Sequence, residues 1–250
     1  MVSYCYNFSG GGKMIVKAVC EYNEKGCLVY AENFPGAFVR GRNYENAIAK
    51  FQKEIESYLD WANGEAKIDS PIEIELVQKK ETELNVSDAD SDILFDSERE
   101  PLTKEEYQKL KILALRSAMD LERMYDSVPD KKMRIVPERE TFYGKIPSTA
   151  KEMYNHCMNI TEYYFGEIGI SAENGPDILS CRQKGFEELE KHEDFLLNRV
   201  FDGSYGEEWS LRKVLRRFIW HDRIHARAMY RRAFEAFWDA EIDNVFRFKR

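Results

Sequence analysis

The first eighty residues alternate apolar and polar positions with the two-residue period that is typical of β-strands. Residues 14–20 and 26–31 are rich in β-branched and apolar side chains, and turn-forming residues separate them. Residues 38–40 predict a short third strand. The sequence IEIELV at residues 72–77 alternates cleanly and predicts a fourth.

A helix is predicted between the third and fourth strands. Asn43 can cap its N-terminus, apolar residues then recur at spacings of three and four as far as Leu59, and Asn63 and Gly64 end it. The order β-β-β-α-β predicts a small antiparallel sheet with one covering helix. We assign this α+β unit to residues 1–80.

Residues 81–101 differ in composition from what precedes them. They contain eight acidic residues and one basic residue, have few apolar side chains and end at Pro101. The spacing of Asp88, Asp90 and Asp92 suggests a calcium-binding loop, but Ile93 stands where such a loop needs glycine. We therefore predict a solvated acidic linker between two domains.

From residue 102 to the end, the apolar positions follow a helical period. Four helices of bundle length are predicted, the third as far as Val200 and the fourth as far as Trp238. Their N-terminal signals are the capping boxes Thr103/Glu106 and Thr149/Glu152, a first-turn Pro176, and the cap Ser210. The sequence thus predicts an α+β protein of two domains, with a four-helix bundle over residues 102–250.

Composition narrows the classes of partner. The formal net charge of −8 weighs against nucleic acid and against anionic membrane surfaces. Five cysteines with no CxxC pair do not form a disulfide scaffold or a zinc–thiolate site. No leader-like segment and no membrane-spanning apolar run stand out, so we expect a cytoplasmic protein.

Three of the four histidines occupy positions where the helical pattern calls for apolar side chains. His221 and His225 lie one turn apart on the inward stripe of the fourth helix, and His156 lies on the inward stripe of the second. Burying unpaired imidazoles costs free energy, and a shared metal ion would offset that cost. Three nitrogens with an open position indicate a catalytic zinc or nickel site, with iron or manganese as alternatives. His192, which stands among charged residues, is a reserve ligand.

Competing interpretations of these residues follow from their neighbours. A single core histidine usually just hydrogen-bonds a nearby group. A zinc protease of the HExxH type is excluded, because Asp222 stands where that motif needs glutamate. Glu152 and Asp222 are candidates to orient a ligand or carry a proton, and Arg217 is a candidate to hold an anionic substrate group.

The C-terminal part resembles the DinB/YfiT-like superfamily of metal-dependent enzymes. The resemblance rests on MYNHC at residues 153–157 and FIWHDRIH at residues 218–225, supported by REPLT at 99–103 and WSLR at 209–212. It implies a four-helix bundle with a divalent metal on His156, His221 and His225. It also implies an activity of the kinds known in that superfamily, which include thiol-dependent transferases and isomerases that use low-molecular-weight thiols.

The N-terminal part is similar to HicB-like domains. FPGAFVRG at residues 34–41, then ENA at 45–47 and the helix that follows, carry this similarity. In antitoxins of that type a DNA-binding segment comes next, whereas here a helical region with histidines does. This resemblance implies an interaction or substrate-shaping module.

Two classes of function remain open on this reading. The first is a metal-dependent hydrolase or thiol transferase that activates water or a low-molecular-weight thiol for a small-molecule substrate. The second is a non-catalytic metal-binding or protein-interaction module. An antitoxin-like nucleic-acid regulator is a third and less favoured alternative. A homodimer formed through the bundle is compatible with either class.

Overall fold

The computed structural model of the chain describes residues 14–64, 68, 71–141 and 144–249. Cys5 and the N-terminal residues on which the expectation of no leader depends lie outside that range. The architecture is mixed α+β, with a four-stranded sheet and several long helices. Within the part of the chain that is described, no helix combines the length and the apolar character needed to cross a membrane.

The sheet contains all four predicted strands in the order β3-β2-β1-β4. These strands are β1 (Ile15–Asn23), β2 (Gly26–Ala31), β3 (Phe38–Gly41) and β4 (Glu73–Glu81). β2 pairs antiparallel with β1 and β3, but β4 pairs parallel with β1. The prediction of an antiparallel sheet is therefore wrong at β4. The helical connection after β3 crosses the sheet, so the chain re-enters beside β1 in the same direction.

Two helices form this crossover, where one was predicted. α1 (Tyr44–Ile48) is capped by Asn43, whose side chain accepts a hydrogen bond from the backbone N–H of Asn46. The helical path is interrupted at residues 49–50 and continues as α2 (Phe51–Asn63). The apolar stripe of α2 is buried in the core beneath the sheet.

The acidic segment of residues 81–101 packs against the protein. It forms two short 3₁₀ turns, Val86–Asp88 and Asp96–Arg99. Its few apolar side chains, among them Val86, Ile93 and Phe95, are buried with apolar side chains of the sheet and Trp220. The solvated character that we predicted is wrong, because burying these side chains removes apolar surface from water while the acids stay at the edge or form ion pairs.

The predicted helical region contains α3 (Lys104–Ser127), α4 (Ala150–Gly166), α5 (Ile178–Leu189) and α6 (Leu211–Ala236). Both capping boxes form as expected, and Ser210 caps α6. A small hairpin precedes α4; its strands, β5 (Glu140–Thr141) and β6 (Gly144–Lys145), have two residues each.

The third predicted helix is shorter than expected. Asp177, and not a turn that includes Pro176, caps α5, and the helix ends at Leu189 instead of reaching Val200. Four charged residues and His192 occupy positions 190–194 and interrupt the apolar stripe there. A 3₁₀ turn (Phe195–Leu197) and a small hairpin, β7 (Phe201–Asp202) with β8 (Glu208–Trp209), lead into α6.

The four long helices and the sheet share one apolar core. α3 packs against α5 and α6, and α4 also packs against α5 and α6. One continuous cluster of buried apolar side chains runs from the sheet and α2 into these helices. Polar contacts add to it: the Trp61 indole N–H donates to Asp120 at 2.7 Å, and Arg116 donates to the carbonyl of Ala62 at 2.9 Å. These two bonds join α2 to α3. α6 packs against α3 and α4, and its buried apolar side chains belong to the same core, which fixes the position of its histidines.

Candidate metal centre

Three imidazoles from two helices converge on one region. His156 comes from α4, and His221 and His225 come from consecutive turns of α6. The Nε2 atoms of His156 and His221 are 3.1 Å apart. The ring centroid of His225 lies 4.8 Å from that of His156 and 4.6 Å from that of His221. One ligating nitrogen from each ring lies within 4.8 Å of the other two.

Burial keeps these rings neutral at physiological pH. Burial lowers the pKa of His225 to about 3, with a further contribution from His156. Burial is also the main cause of the lowered pKa of His221, and the nearby His225 and His156 lower it further. His156 is exposed at one edge, but the protein atoms around its ring lower its pKa as well. Neutral imidazoles offer a lone pair, which is the form that binds a metal ion.

The donor set and its spacing fit a divalent transition metal. Tetrahedral coordination at ordinary zinc–nitrogen distances places neighbouring nitrogens about 3.3 Å apart. The 3.1 Å separation of the His156 and His221 Nε2 atoms is close to that value. Nδ1 of His221 is buried and makes no hydrogen bond. Cys157 and Asp222 form a second candidate group with His221.

That second group is already occupied by protein contacts. The two carboxylate oxygens of Asp222 accept hydrogen bonds from Arg182 at 2.5 and 2.6 Å, and the Ser117 hydroxyl donates to the same carboxylate at 2.5 Å. Both charged side chains of the pair are fully buried. Asp222 thus links α3, α5 and α6, and neither of its oxygens is free to take a proton from a substrate. The three histidines are the better candidate ligand set.

Arg217 is also committed to the protein. It is buried, forms an ion pair with Glu207 and donates to the carbonyl of Ser91 at 2.8 Å. Its guanidinium lies 5.1 Å from the Trp209 ring and 5.2 Å from the Trp220 ring. The charge that would otherwise bind an anionic substrate is therefore already paired with Glu207 inside the protein.

Glu152 caps the helix that carries His156. Its carboxylate accepts from the backbone N–H of Ser148 at 2.7 Å and from the Ser148 hydroxyl at 2.9 Å, and it completes the capping box with Thr149. Hydrogen bonds from the Ser148 backbone and hydroxyl lower the pKa of Glu152. The carboxylate is exposed and borders the cleft beside His156, so it faces the space where a substrate would lie.

A cleft of about 330 Å³ opens beside His156. The amide side chains of Asn155 and Asn159 line it, one on each side of His156 along α4. Lys145, Ile146 and Pro147 complete the lining together with Glu152. His156 lines the cleft and also belongs to the histidine cluster, so the cleft meets the cluster at that ring. His192, the reserve ligand, is an exposed residue and belongs to neither candidate ligand group among the described residues.

Two arginines of α6 hold it against neighbouring elements. Arg216 and Arg223 are buried, and they form ion pairs with Glu98 of the acidic segment and with Glu54 of α2, respectively. These pairs join α6 to the acidic segment and to the crossover helix.

Sequence reasoning missed Arg182, Asn155 and Asn159. Arg182 stands within the apolar pattern of α5, next to Cys181 and close to Phe186, and a cation on a core stripe is a signal that a buried anion faces it. The two asparagines carry no comparable signal, because exposed amides are common on helices. No protein-family model, no curated protein and no solved structure matches this chain.

Proposed function

We propose that His156, His221 and His225 hold one divalent metal ion, zinc or nickel before iron or manganese, and that the protein is a metal-dependent hydrolase or thiol transferase. The observation that carries the proposal is the convergence of three neutral imidazoles from α4 and α6, with a 3.1 Å separation between two Nε2 atoms. When bound, such an ion supplies a Lewis acid that lowers the pKa of a water molecule or thiol beside it.

The protein groups around the site would bind and orient a small molecule. Asn155 and Asn159 offer hydrogen-bond donors and acceptors at the entrance, and Lys145, which pairs with Glu138 at 2.9 Å, adds a positive charge to the lining. Glu152 is the carboxylate at this entrance, and its lowered pKa keeps it ionised at neutral pH. Within the described cleft, Glu152 is the acidic side chain that could accept a proton.

We also propose the family relationships and the domain division that the sequence suggests. The ring of contacts α3–α6–α4–α5–α3 supports a four-helix bundle of the DinB/YfiT-like type over residues 102–250. The strand order and the crossover helices support a separate origin for residues 1–80 as a HicB-like module, with residues 81–101 between this module and the bundle.

The four described cysteines are unpaired, which supports a reducing cytoplasmic location.

A second candidate function is a metal-binding module without turnover. The observation that favours it is the state of the predicted catalytic groups: Asp222 and Arg217 are buried in ion pairs, and Glu152 caps a helix. Under this alternative the cleft would bind a ligand, and the sheet or the bundle would contact a protein partner or a second copy.

Metal titration of the purified protein tests the proposal. The protein is stripped with a chelator, and zinc, nickel and cobalt(II) affinities are measured in competition with a chromophoric chelator. Replacing one of three ligands removes one of the bonds that hold the ion, so His156→Ala, His221→Ala and His225→Ala should each weaken binding by about a hundredfold or more. His192→Ala is the matched control and should bind as the unmodified protein does.

The same preparations separate the two functions. Unchanged metal affinity in both His221→Ala and His225→Ala would show the site to be wrong. Tight metal binding, combined with metal-dependent turnover in a panel of electrophiles supplied with low-molecular-weight thiols, supports the enzyme. Tight binding without turnover of any thiol or hydrolysis substrate supports the binding module. Circular dichroism of each variant checks that the fold is retained.

A further inference from the structure

Four arginines lie together on a surface away from the histidine cluster, and we call them the arginine patch: Arg40, Arg139, Arg227 and Arg231. The patch forms where β3 runs beside α6. The Arg227 guanidinium lies 5.1 Å from the Phe38 ring, and Arg40 is two residues beyond Phe38 on the same face of β3. Arg231 is one turn beyond Arg227 on the same face of α6.

The fourth arginine joins from the loop before β5. Arg40 donates to the carbonyl of Ser87 at 2.8 Å, and the adjacent Asp88 forms an ion pair with Arg139 at 2.6 Å. Crowding by protein atoms lowers the pKa of Arg40. The positive charges of Arg227, Arg231 and Arg139 also lower it, while the Asp88 carboxylate acts in the opposite direction. Arg40 is therefore close enough to the other three arginines to be repelled by them.

Two acids near the patch, Asp88 and Glu54, are already paired. The Asp88 carboxylate bonds Arg139 through one oxygen and Asn85 through the other, at 2.6 Å each. Glu54 forms ion pairs with Arg223 and Arg227. Among the described residues, no carboxylate pairs with the guanidinium of Arg40 or with that of Arg231.

Two exposed, neighbouring guanidiniums without a counter-ion are an arrangement that an oxyanion stabilises. We propose that Arg40 and Arg231 bind the phosphate group of a small phosphorylated ligand, with Arg139 and Arg227 raising the local positive potential. A phosphate is favoured over a carboxylate because it carries nearly two negative charges and three acceptor oxygens, so it can interact with both guanidiniums at once. In a chain of net charge −8, this local reversal of sign would steer a multiply charged anion to one place.

The test uses inorganic pyrophosphate as the probe and isothermal titration calorimetry as the measurement. Ionic strength is held constant with potassium chloride, so that general screening does not differ between titrations. Wild-type protein should bind pyrophosphate, and the double variant Arg40→Gln/Arg231→Gln should bind it at least about tenfold more weakly, since two charge-assisted contacts are lost. Arg40→Lys should bind with intermediate affinity, because it keeps the charge and loses the fork.

Two controls locate the effect. Arg232→Gln changes the next residue of α6, whose guanidinium already pairs with Glu235 at 2.9 Å, and it should leave the affinity within about twofold of wild type. His156→Ala should also leave pyrophosphate binding unchanged, which separates the patch from the metal centre and from the fate of the proposed function. The substituted arginines are exposed, and thermal unfolding of each variant verifies folding.

Several results would overturn the inference. One is equal pyrophosphate affinity in wild type and in the double variant, and another is an equal loss in Arg232→Gln. A third is binding of duplex DNA or RNA through Arg40 and Arg231 with no measurable binding of pyrophosphate, which would make the patch a nucleic-acid surface instead of a phosphate site.

Discussion

Replacing Asp222 by alanine tests whether this carboxylate is a structural group or a catalytic one. Asp222 is fully buried and shares two hydrogen bonds with the equally buried Arg182, and Ser117 donates a third. The substitution removes the negative charge and leaves the guanidinium of Arg182 inside the protein. That guanidinium cannot reach water, because the side chains around it include the Phe218 ring at 4.5 Å.

The magnitude follows from what remains after the substitution. Breaking a buried ion pair by removing one partner costs about 3–5 kcal/mol, because the surviving charge has lost its solvation and its partner. Such a loss should lower the urea midpoint of unfolding by about 1–2 M. An exposed pair is worth much less, so Glu235→Ala, which breaks the surface pair with Arg232, should cost about 0.5 kcal/mol or less.

Urea unfolding followed by circular dichroism measures both variants under the same conditions. The double variant Arg182→Met/Asp222→Leu should recover much of the stability lost in Asp222→Ala, because no unpaired charge is then left in the core. A loss below about 1 kcal/mol in Asp222→Ala, or a double variant no more stable than the single one, would refute the reasoning. If stability were unchanged and only turnover fell, Asp222 would have to act in catalysis.

Two further predictions concern the sheet. Burial raises the pKa of Glu21 to about 7 from its ordinary 4.5, with a hydrogen bond to Asp92 adding to the rise. The folded state then binds the extra proton, so stability is fully present below pH 4.5 and about 3 kcal/mol of it is lost as pH rises through 7. In Glu21→Gln, the free energy of unfolding measured with urea should differ less between pH 5 and pH 8 than it does in wild type. An equal difference in the two proteins would contradict the assignment. Gly36→Ala should lower the free energy of unfolding by about 1–3 kcal/mol, because Gly36 has φ +92° and a Cβ there would meet Cγ2 of Ile219 at 2.4 Å. A thermal unfolding temperature equal to that of wild type would contradict this close contact with α6.

Local signals in the sequence predicted most of the helix boundaries. The capping residues Thr103, Thr149 and Ser210 each accept a hydrogen bond from a backbone N–H in the first turn, as the pattern required. A cap is a contact between residues three positions apart, so its information is contained in a short stretch of chain. The convergence of the histidines was predicted for the same kind of reason, since each imidazole replaced an apolar residue on a helical stripe.

Long-range contacts decided the features that were predicted incorrectly. The direction of β4 depends on where the crossover returns to the sheet, and the period of a strand is the same in either direction. The burial of the acidic segment depends on α6, which supplies Trp220 and Arg216 for Phe95 and Glu98 to contact. The early end of α5 at Leu189 is different, because the polar residues at positions 190–194 interrupt the apolar stripe and that signal is local.

By itself, the sequence determined the strand and helix periods, the caps, and three imidazoles at positions where the helical pattern calls for apolar side chains, because these are properties of residues close together in the chain. The tertiary structure alone decided which charges are paired. Asp222 stands beside a candidate ligand and was a candidate proton carrier, yet Arg182, forty positions earlier, occupies both of its oxygens. Arg40 and Arg231 are far apart in sequence and become neighbours only where β3 meets α6. The energy of a charge depends on its distance to every other charge and to water, and those distances exist only after folding.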